Sequence, residues 1–142
     1  MDNKVYSQKF FGNLFESNKS LATSLYKNYI SSICSVFKIL GININTVPVL
    51  DVLKKKTHKI IGSRSYSGNI KTIKSLSSIC IKEYKKNKIS TVVKHIPGHG
   101  SSLVDSHKKL PIVKTSNNQL NKIDFNCFNN INSLFAMTAH II

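Results

Sequence analysis

The chain has 142 residues, enough for one small domain with a single core, and 41% of them are hydrophobic. Its formal net charge is +15, yet all but one of the 21 basic residues are Lys. Nucleic-acid binders usually favour Arg for its planar, forked guanidinium and place aromatic side chains among the basic residues. The composition therefore argues against a nucleic-acid partner, and its Lys, Asn and Ile bias is typical of an AT-rich genome.

Membrane and secretory signals are also missing from the sequence. No apolar run reaches the roughly 20 residues that span a bilayer, and the polar N-terminus lacks the apolar core of a signal peptide. We therefore expect a soluble, cytoplasmic protein without a membrane partner. The odd number and wide spacing of the cysteines argue against a disulfide framework and a thiolate zinc site. Because each lies in an apolar periodic segment, we expect buried free thiols at Cys34, Cys80 and Cys127.

The first predicted elements are a helix and a strand. Apolar residues recur at spacings of three and four from Lys19 to Leu40, which predicts an amphipathic helix, and Gly41 suits the position after its end. The β-rich segment Ile42 to Leu50 predicts a strand of about five residues. A loop over residues 51–68 follows, with a lysine run and the segment IGSRSY.

The second half of the chain repeats this order. Helical periodicity returns from Ile70 to Lys86, and Ser90 to His95 reads as a buried strand. Residues 96–110 form a second long loop with two glycines. A weaker helix is predicted over Asn118 to Asn130 and a third strand over Leu134 to Ala139.

This alternation predicts an α/β fold with about three parallel strands and crossover helices in one domain over residues 1–142. Both long loops follow the carboxyl ends of strands, where α/β folds gather their chemistry. Three open parallel strands would leave two unpaired edges. A complete (β/α)₈ barrel needs about 250 residues, so barrel sequence of this length would be part of a TIM barrel.

The second loop concentrates the titratable side chains. His95, His99 and His107 lie within it or at its start, with Asp105 among them, and glycines on both sides of His99 allow a sharp turn. These residues are suitable as zinc ligands. Alternatively, Asp105 accepts a hydrogen bond from Nδ1 of His107, which then acts as a general acid and base. Spacing alone does not separate the two mechanisms.

The ordered motifs KHIPGHG, DSH and LP, between Lys94 and Pro111, resemble the glycoside hydrolase family 3 signature of bacterial β-N-acetylhexosaminidases. The segments GININTVPVLDV, IGSRSY and AMTAH agree with the same family in order and spacing. The resemblance runs from about residue 10 to the end of the chain.

The resemblance implies a TIM barrel, a retaining mechanism, and no metal or organic cofactor. His107 would be the acid/base and Asp105 its partner, in place of the usual carboxylic acid. Lys94 and His95 would bind hydroxyls of an N-acetylglucosamine ring, together with Arg64. The composition supports Arg64 independently, because it is the only arginine of the chain and falls inside IGSRSY.

The family's nucleophile is an aspartate after the AMTAH segment, and no residue of this sequence matches it. Asp124, the only carboxylate after the DSH motif, fits no nucleophile motif. Residues 1–142 would thus be part of the N-terminal catalytic barrel domain, and we expect the chain alone not to turn over substrate. Association with other fragments stays open.

In the family, the substrate is an N-acetylglucosamine-containing muropeptide or oligosaccharide, and the role is peptidoglycan recycling. A non-catalytic remnant and a basic nucleic-acid-binding module are the competing hypotheses. Among the remaining polar residues, we expect Asp51 to order the strand-end loop and His58 to be solvated. His99 and His140 would shape the site without a catalytic role.

Overall fold

The computed structural model describes residues 5–54, 57, 59, 61–100 and 111–142. In these ranges the chain forms a sheet of three strands with helices packed against it. The elements in chain order are helix α1 (Gln8–Ser17), helix α2 (Lys19–Ile39), strand β1 (Ile44–Asn45), helix α3 (Ile70–Lys86), strand β2 (Ser90–Ile96), the short helix α4 (Asn117–Gln119) and strand β3 (Phe135–Thr138).

The three strands are parallel, with β2 in the centre. Ile44 of β1 lies opposite Ser90 of β2, and Val92 of β2 lies opposite Phe135 of β3. The predicted α/β fold with parallel strands is therefore confirmed. Because parallel strands end at the same edge of a sheet, the segments that follow β1 and β2 lie side by side.

Helix α2 confirms the predicted helix over Lys19 to Leu40. The side chain of Asn18 caps it by accepting a hydrogen bond from the backbone N–H of Leu21 at 3.0 Å. After the helix, Gly41 has a φ of +70°, a left-handed conformation that glycine adopts without steric cost. The buried face of α2 consists of residues four positions apart, namely Ala22, Tyr26, Ile30 and Cys34.

Helix α1 was not predicted from the sequence. Ser7 caps it, because its hydroxyl accepts a hydrogen bond from the backbone N–H of Phe10 at 3.2 Å. The buried side of α1 presents Phe11 and Gly12. A Cβ atom at Gly12 would lie 1.8 Å from the carbonyl oxygen of Tyr66, so only glycine allows the helix to approach the IGSRSY segment this closely.

The predicted strand from Ile42 to Leu50 is interrupted, with regular pairing at Ile44–Asn45 and an isolated bridge between Val49 and Lys94. Pro48 explains part of the break, because proline has no N–H to donate. The side chain of Gln8 pairs with the other side of Val49. Its Nε2 donates to the Val49 carbonyl at 3.2 Å, and its Oε1 accepts from the Val49 N–H at 3.0 Å.

The predicted helix over Asn118 to Asn130 is shorter and irregular. One α-helical turn, α4, continues into a π-helical turn over Leu120–Asp124 and a 3₁₀ turn over Phe125–Cys127. Asparagine is a weak helix former, which explains why a regular α-helix does not persist here. The π turn ends at Asp124, whose side chain is buried.

Helix α3 was predicted correctly and covers one face of the sheet. It buries seven residues, among them Ile73, Leu76 and Cys80. Cys34, Cys80 and Cys127 are all free and buried, which confirms the prediction made for the three thiols. In the described parts of the chain, no helix combines the length and apolar character needed to cross a bilayer.

Candidate active site

The side chain of Asp51 joins the segments that follow β1 and β2. It is fully buried, and its Oδ2 lies 2.7 Å from Nδ1 of His95. Its Oδ1 accepts a hydrogen bond from the backbone N–H of His99 at 2.6 Å and a longer one from that of His95 at 3.5 Å. The expectation that Asp51 orders the strand-end loop is therefore confirmed.

The backbone of Asp51 also holds the segment that carries Arg64. The hydroxyl of Ser65 is buried and donates to the carbonyl oxygen of Asp51 at 2.5 Å. Arg64 precedes Ser65 at the end of a 3₁₀ turn over Gly62–Arg64, and its side chain is exposed. The next residue, Tyr66, is fully buried and hydrogen-bonds the hydroxyl of Tyr26. Arg64 is thus an exposed side chain between firmly anchored neighbours.

Arg64 and Lys94 line the same cavity, which has a volume of about 280 Å³. Burial of the Lys94 ammonium lowers its pKa below the usual value, and the nearby Arg64 guanidinium lowers it further. The Asp51 carboxylate partly opposes both effects. Two of the three predicted sugar-binding residues therefore share one cavity, and Asp51 connects them to His95.

The predicted sharp turn around His99 exists, and both glycines are needed for close packing. A Cβ atom at Gly100 would lie 2.0 Å from the carbonyl oxygen of Val52, and one at Gly98 would lie 2.8 Å from Oδ1 of Asp124. Thr57 adds a further link, because its hydroxyl donates to the carbonyl of Gly100 at 2.7 Å. The two strand-end segments are consequently packed backbone to backbone.

A partly buried ion pair lies next to these segments. Nζ of Lys54 is 2.8 Å from Oδ2 and 3.1 Å from Oδ1 of Asp124, whose side chain has no exposed surface. Burial raises the pKa of Asp124, and the Lys54 ammonium opposes this increase. Sequence reasoning missed the pair, since Lys54 begins a run of three lysines and Asp124 was assigned to a helix. The only feature of the sequence that could have indicated the pair is the position of Asp124 between Ile123 and Phe125.

The two catalytic candidates, Asp105 and His107, lie outside the described residues, as does His58. Their roles remain predictions. His99 is buried beside Asp51, with its ring centroid 6.1 Å from that of His95, whereas His140 follows β3 and is exposed. Among the residues that the structure describes, no three or more His, Cys, Asp or Glu side chains are grouped to hold a metal ion.

The sequence profile of the glycosyl hydrolase family 3 N terminal domain matches residues 8–142. The chain is 34% identical over 115 residues to β-hexosaminidase A from Pseudoalteromonas piscicida, with 78% of this chain and 19% of that protein covered. It is 27% identical over 142 residues to a β-hexosaminidase from Methylobacillus flagellatus, with 98% and 40% covered.

Its structure is similar to that of NagZ from Neisseria gonorrhoeae in complex with N-trifluoroacetyl-D-glucosamine. The TM-score is 0.86 at 26% identity, and the match covers 96% of this chain and 40% of that one. The three parallel strands and their helices correspond to part of a TIM-barrel fold.

These matches place the chain in glycoside hydrolase family 3, among proteins named β-hexosaminidase and NagZ. The chain spans at most 40% of the length of these three relatives.

Proposed function

We propose that the edge formed after β1 and β2 is the sugar-binding half of a β-N-acetylglucosaminidase active site. Arg64, Lys94 and His95 would bind hydroxyls of a terminal N-acetylglucosamine ring. The observation that carries this proposal is the position of Asp51, which contacts His95 through its carboxylate and holds the Arg64 segment through its carbonyl. A single buried residue thereby holds together the segments that carry the residues predicted to bind the sugar.

Three properties of the edge suit a sugar. Lys94 and Arg64 line the same shallow, open cavity of about 280 Å³, so both side chains could reach one bound ring. Arginine and lysine supply several hydrogen-bond donors, and histidine can supply an acceptor. A relative with the same fold is known in complex with N-trifluoroacetyl-D-glucosamine, a close analogue of the proposed ligand.

His107 and Asp105 would supply the acid/base chemistry. Nδ1–H of His107 would donate to the Asp105 carboxylate, and Nε2 of His107 would give its proton to the leaving glycosidic oxygen. In the second half of a retaining reaction, the same nitrogen would take a proton from the attacking water. Gly100 and the buried Pro111, at the two ends of the segment that carries this pair, are both fixed in the fold.

No residue of this chain is proposed as the nucleophile. Asp124 is engaged by Lys54 and buried against Gly98, which makes it a structural acid rather than a group that attacks a sugar. Residues 1–142 would form part of a catalytic barrel domain. Because no nucleophile is proposed within it, we expect this chain alone not to turn over a chromogenic N-acetylglucosaminide.

The proposed substrate is an N-acetylglucosamine-containing muropeptide or oligosaccharide, used in peptidoglycan recycling in the cytoplasm. The resemblance of the KHIPGHG and DSH motifs to bacterial β-N-acetylhexosaminidases supports this choice. No metal or organic cofactor enters the mechanism, because the acid/base pair and sugar-binding residues act without one.

The proposal is tested by titrating the ¹⁵N-labelled chain with N-acetylglucosamine and following backbone amide shifts. We expect saturable shifts at Lys94, His95 and Arg64. Lys94→Ala should weaken binding by about tenfold, the effect of one lost charged hydrogen bond. Lys71→Ala is the matched control, since Lys71 is exposed on α3.

Equal binding by the Lys94→Ala and Lys71→Ala variants would contradict the proposal. So would shifts that are spread over the lysine-rich surface and disappear in moderate salt, because such shifts indicate non-specific electrostatic attraction. Steeply salt-dependent binding of DNA without any response to the sugar would instead favour the nucleic-acid hypothesis.

A further inference from the structure

Asp51 is a buried carboxylate whose Oδ2 contacts His95, one of the residues predicted to bind the sugar. We propose that Asp51 is a positioning residue that holds His95 as the Nδ1–H tautomer and so presents the Nε2 lone pair to a sugar hydroxyl. The tautomer follows from contacts within the chain, whereas its use in binding rests on the proposed function. The two parts are tested by different measurements.

The tautomer follows from the hydrogen-bonding groups around Asp51. An ionised carboxylate only accepts hydrogen bonds, so the 2.7 Å contact between Oδ2 and Nδ1 of His95 requires the proton on Nδ1. The carboxylate cannot turn away, because its other oxygen accepts the N–H of His99 at 2.6 Å. In a neutral imidazole with Nδ1 protonated, Nε2 is necessarily the acceptor.

An acceptor at Nε2 changes what the edge can recognise. Lys94 and Arg64 carry only donors, and donors alone suit a phosphate or carboxylate as well as a sugar. A sugar hydroxyl both donates and accepts. A neutral His95 would take the hydroxyl hydrogen while Lys94 donates to an oxygen of the same ring. The lone pair on Nε2 would at the same time repel an anion, so Asp51 would favour neutral hydroxyls over anionic ligands.

The tautomer is measured by long-range ¹H–¹⁵N correlation of histidine rings in the labelled chain at about pH 8, above the range in which imidazole ordinarily takes up a proton. A His95→Gln variant identifies the His95 signals. We expect a protonated, pyrrole-type Nδ1 and an unprotonated Nε2. An Nε2–H tautomer in the wild-type chain would overturn the inference without need of any variant.

Asp51→Asn is the decisive substitution, because it keeps the shape of the side chain. The amide oxygen must still face the N–H of His99, which turns the amide NH₂ towards Nδ1 of His95. That contact requires an unprotonated Nδ1, so we expect the tautomer to invert to Nε2–H. The ring would then offer one more donor to the sugar and no acceptor.

Binding reports the consequence of this inversion. We expect Asp51→Asn to weaken N-acetylglucosamine binding by about tenfold, and to weaken inorganic phosphate binding less or not at all. Glu16→Gln is the matched control. Its carboxylate accepts from the hydroxyls of Ser67 at 2.6 Å and Thr72 at 3.0 Å, away from His95, so the His95 tautomer and sugar affinity should stay unchanged.

The outcomes separate the two proposals. Unchanged sugar affinity in a folded Asp51→Asn variant with an inverted tautomer would overturn the binding role of Asp51, while the proposed function would stand. A wild-type chain that binds no N-acetylglucosamine would contradict the proposed function, and the ring spectra alone would then decide whether Asp51 sets the tautomer. Retention of Nδ1–H in Asp51→Asn would overturn the positioning role itself.

Discussion

Nζ of Lys54 lies 2.8 Å from Oδ2 of Asp124, seventy positions further along the chain. The pair connects the segment after β1 to the helical turns before β3, directly beneath Gly98 of the second loop. The lysine side chain is 29% exposed, whereas that of the aspartate is fully buried. Because only Lys54 can reach water, we expect the two single substitutions of this pair to differ in their effect on stability.

Replacing Lys54 should cost more stability than replacing Asp124. Lys54→Met leaves a buried carboxylate without its cation, and we expect a loss of about 2 kcal/mol in the free energy of unfolding at neutral pH. Asp124→Asn leaves a lysine that can reach water, and should cost about 1 kcal/mol or less. Urea unfolding of both variants measures the difference, and a larger loss for Asp124→Asn would contradict this account.

The cost of Lys54→Met should also depend on pH. Burial raises the pKa of Asp124 above its usual 3.8, so the folded state favours the neutral carboxyl. In the variant this preference stabilises the fold at low pH and is lost as pH rises through the pKa of the folded state. The difference between wild type and variant should therefore shrink on acidification. A difference that is constant with pH would show that Asp124 does not need Lys54 for its charge.

Gly100 should not tolerate alanine. A Cβ atom there would lie 2.0 Å from the Val52 carbonyl oxygen, so the second loop must shift and the contacts of Asp51 with His95 and His99 must loosen. We expect a loss of about 2 kcal/mol or more.

Gly62→Ala is the control for this substitution. Its Cβ would meet no atom within 4 Å, although its φ of +39° costs an alanine about 1 kcal/mol. Thermal unfolding followed by circular dichroism compares the two variants. A loss for Gly100→Ala no larger than that for Gly62→Ala would contradict the close approach of the two segments at position 100.

The buried thiols should make the fold sensitive to alkali. Burial raises the pKa of Cys80 from 9.0 to about 12. Because the unfolded thiol ionises first, this contribution to stability is complete below pH 9 and is lost between pH 9 and 12. Each such thiol should lower the free energy of unfolding by at most about 1.4 kcal/mol per pH unit, and by less near pH 9, where the unfolded thiol is only partly ionised. Chemical unfolding at a series of pH values measures the slope.

Cys80→Ala should reduce that slope by the contribution of one thiol. Cys127, whose pKa burial also raises to about 12, should account for a second equal part. The buried tyrosines near Cys80 also titrate at high pH, so the comparison is made between pH 9 and 10, where thiols dominate. An unchanged slope in Cys80→Ala would contradict a buried, neutral thiol.

Arg64→Lys should weaken sugar binding although the charge is kept. Lysine replaces a planar fork of donors by a single ammonium, so at least one hydrogen bond to the ring hydroxyls is lost. We expect about a tenfold decrease in affinity for N-acetylglucosamine in a variant that is folded by circular dichroism. Calorimetric or spectroscopic titration checks this, and undiminished affinity would exclude the guanidinium from the site.

Periodicity alone predicted α2, α3 and β2, because each presents apolar residues to the core at regular spacing. The proximity of Asp51 and His95 could also have been predicted from the sequence. Both residues follow predicted parallel strands, and such strands end at the same edge of the sheet. The family resemblance, rather than the pattern of residues, supplied the role of Arg64 and the choice between zinc and acid/base chemistry.

The contacts that sequence reasoning missed depend on packing between distant segments. The side chain of Gln8 takes the place of a neighbouring strand at Val49, and a polar first residue of an unrecognised helix does not indicate such a contact. Helix α1 itself did have a signal, since Ser7 caps it and Phe11, Leu14 and Phe15 follow at helical spacing. The interruption of β1 and the π turn at Asp124 arise from such tertiary contacts and from weak local propensity.

N-acetylglucosamine is proposed to bind at the edge built around Asp51. A second cavity of about 500 Å³ is larger and mostly apolar, and it is lined by side chains of α1, α2 and α3 that include Tyr29 and Phe37. It offers a clear alternative location for the sugar, because it lies between helices rather than at the carboxyl ends of the strands.

The most direct measurement is the set of intermolecular nuclear Overhauser effects from the protons of bound N-acetylglucosamine. We expect contacts to the ring protons of His95 and to the side chains of Arg64 and Lys94. Contacts to Tyr29 and Phe37 instead would place the sugar in the helix-lined cavity and contradict the proposed site.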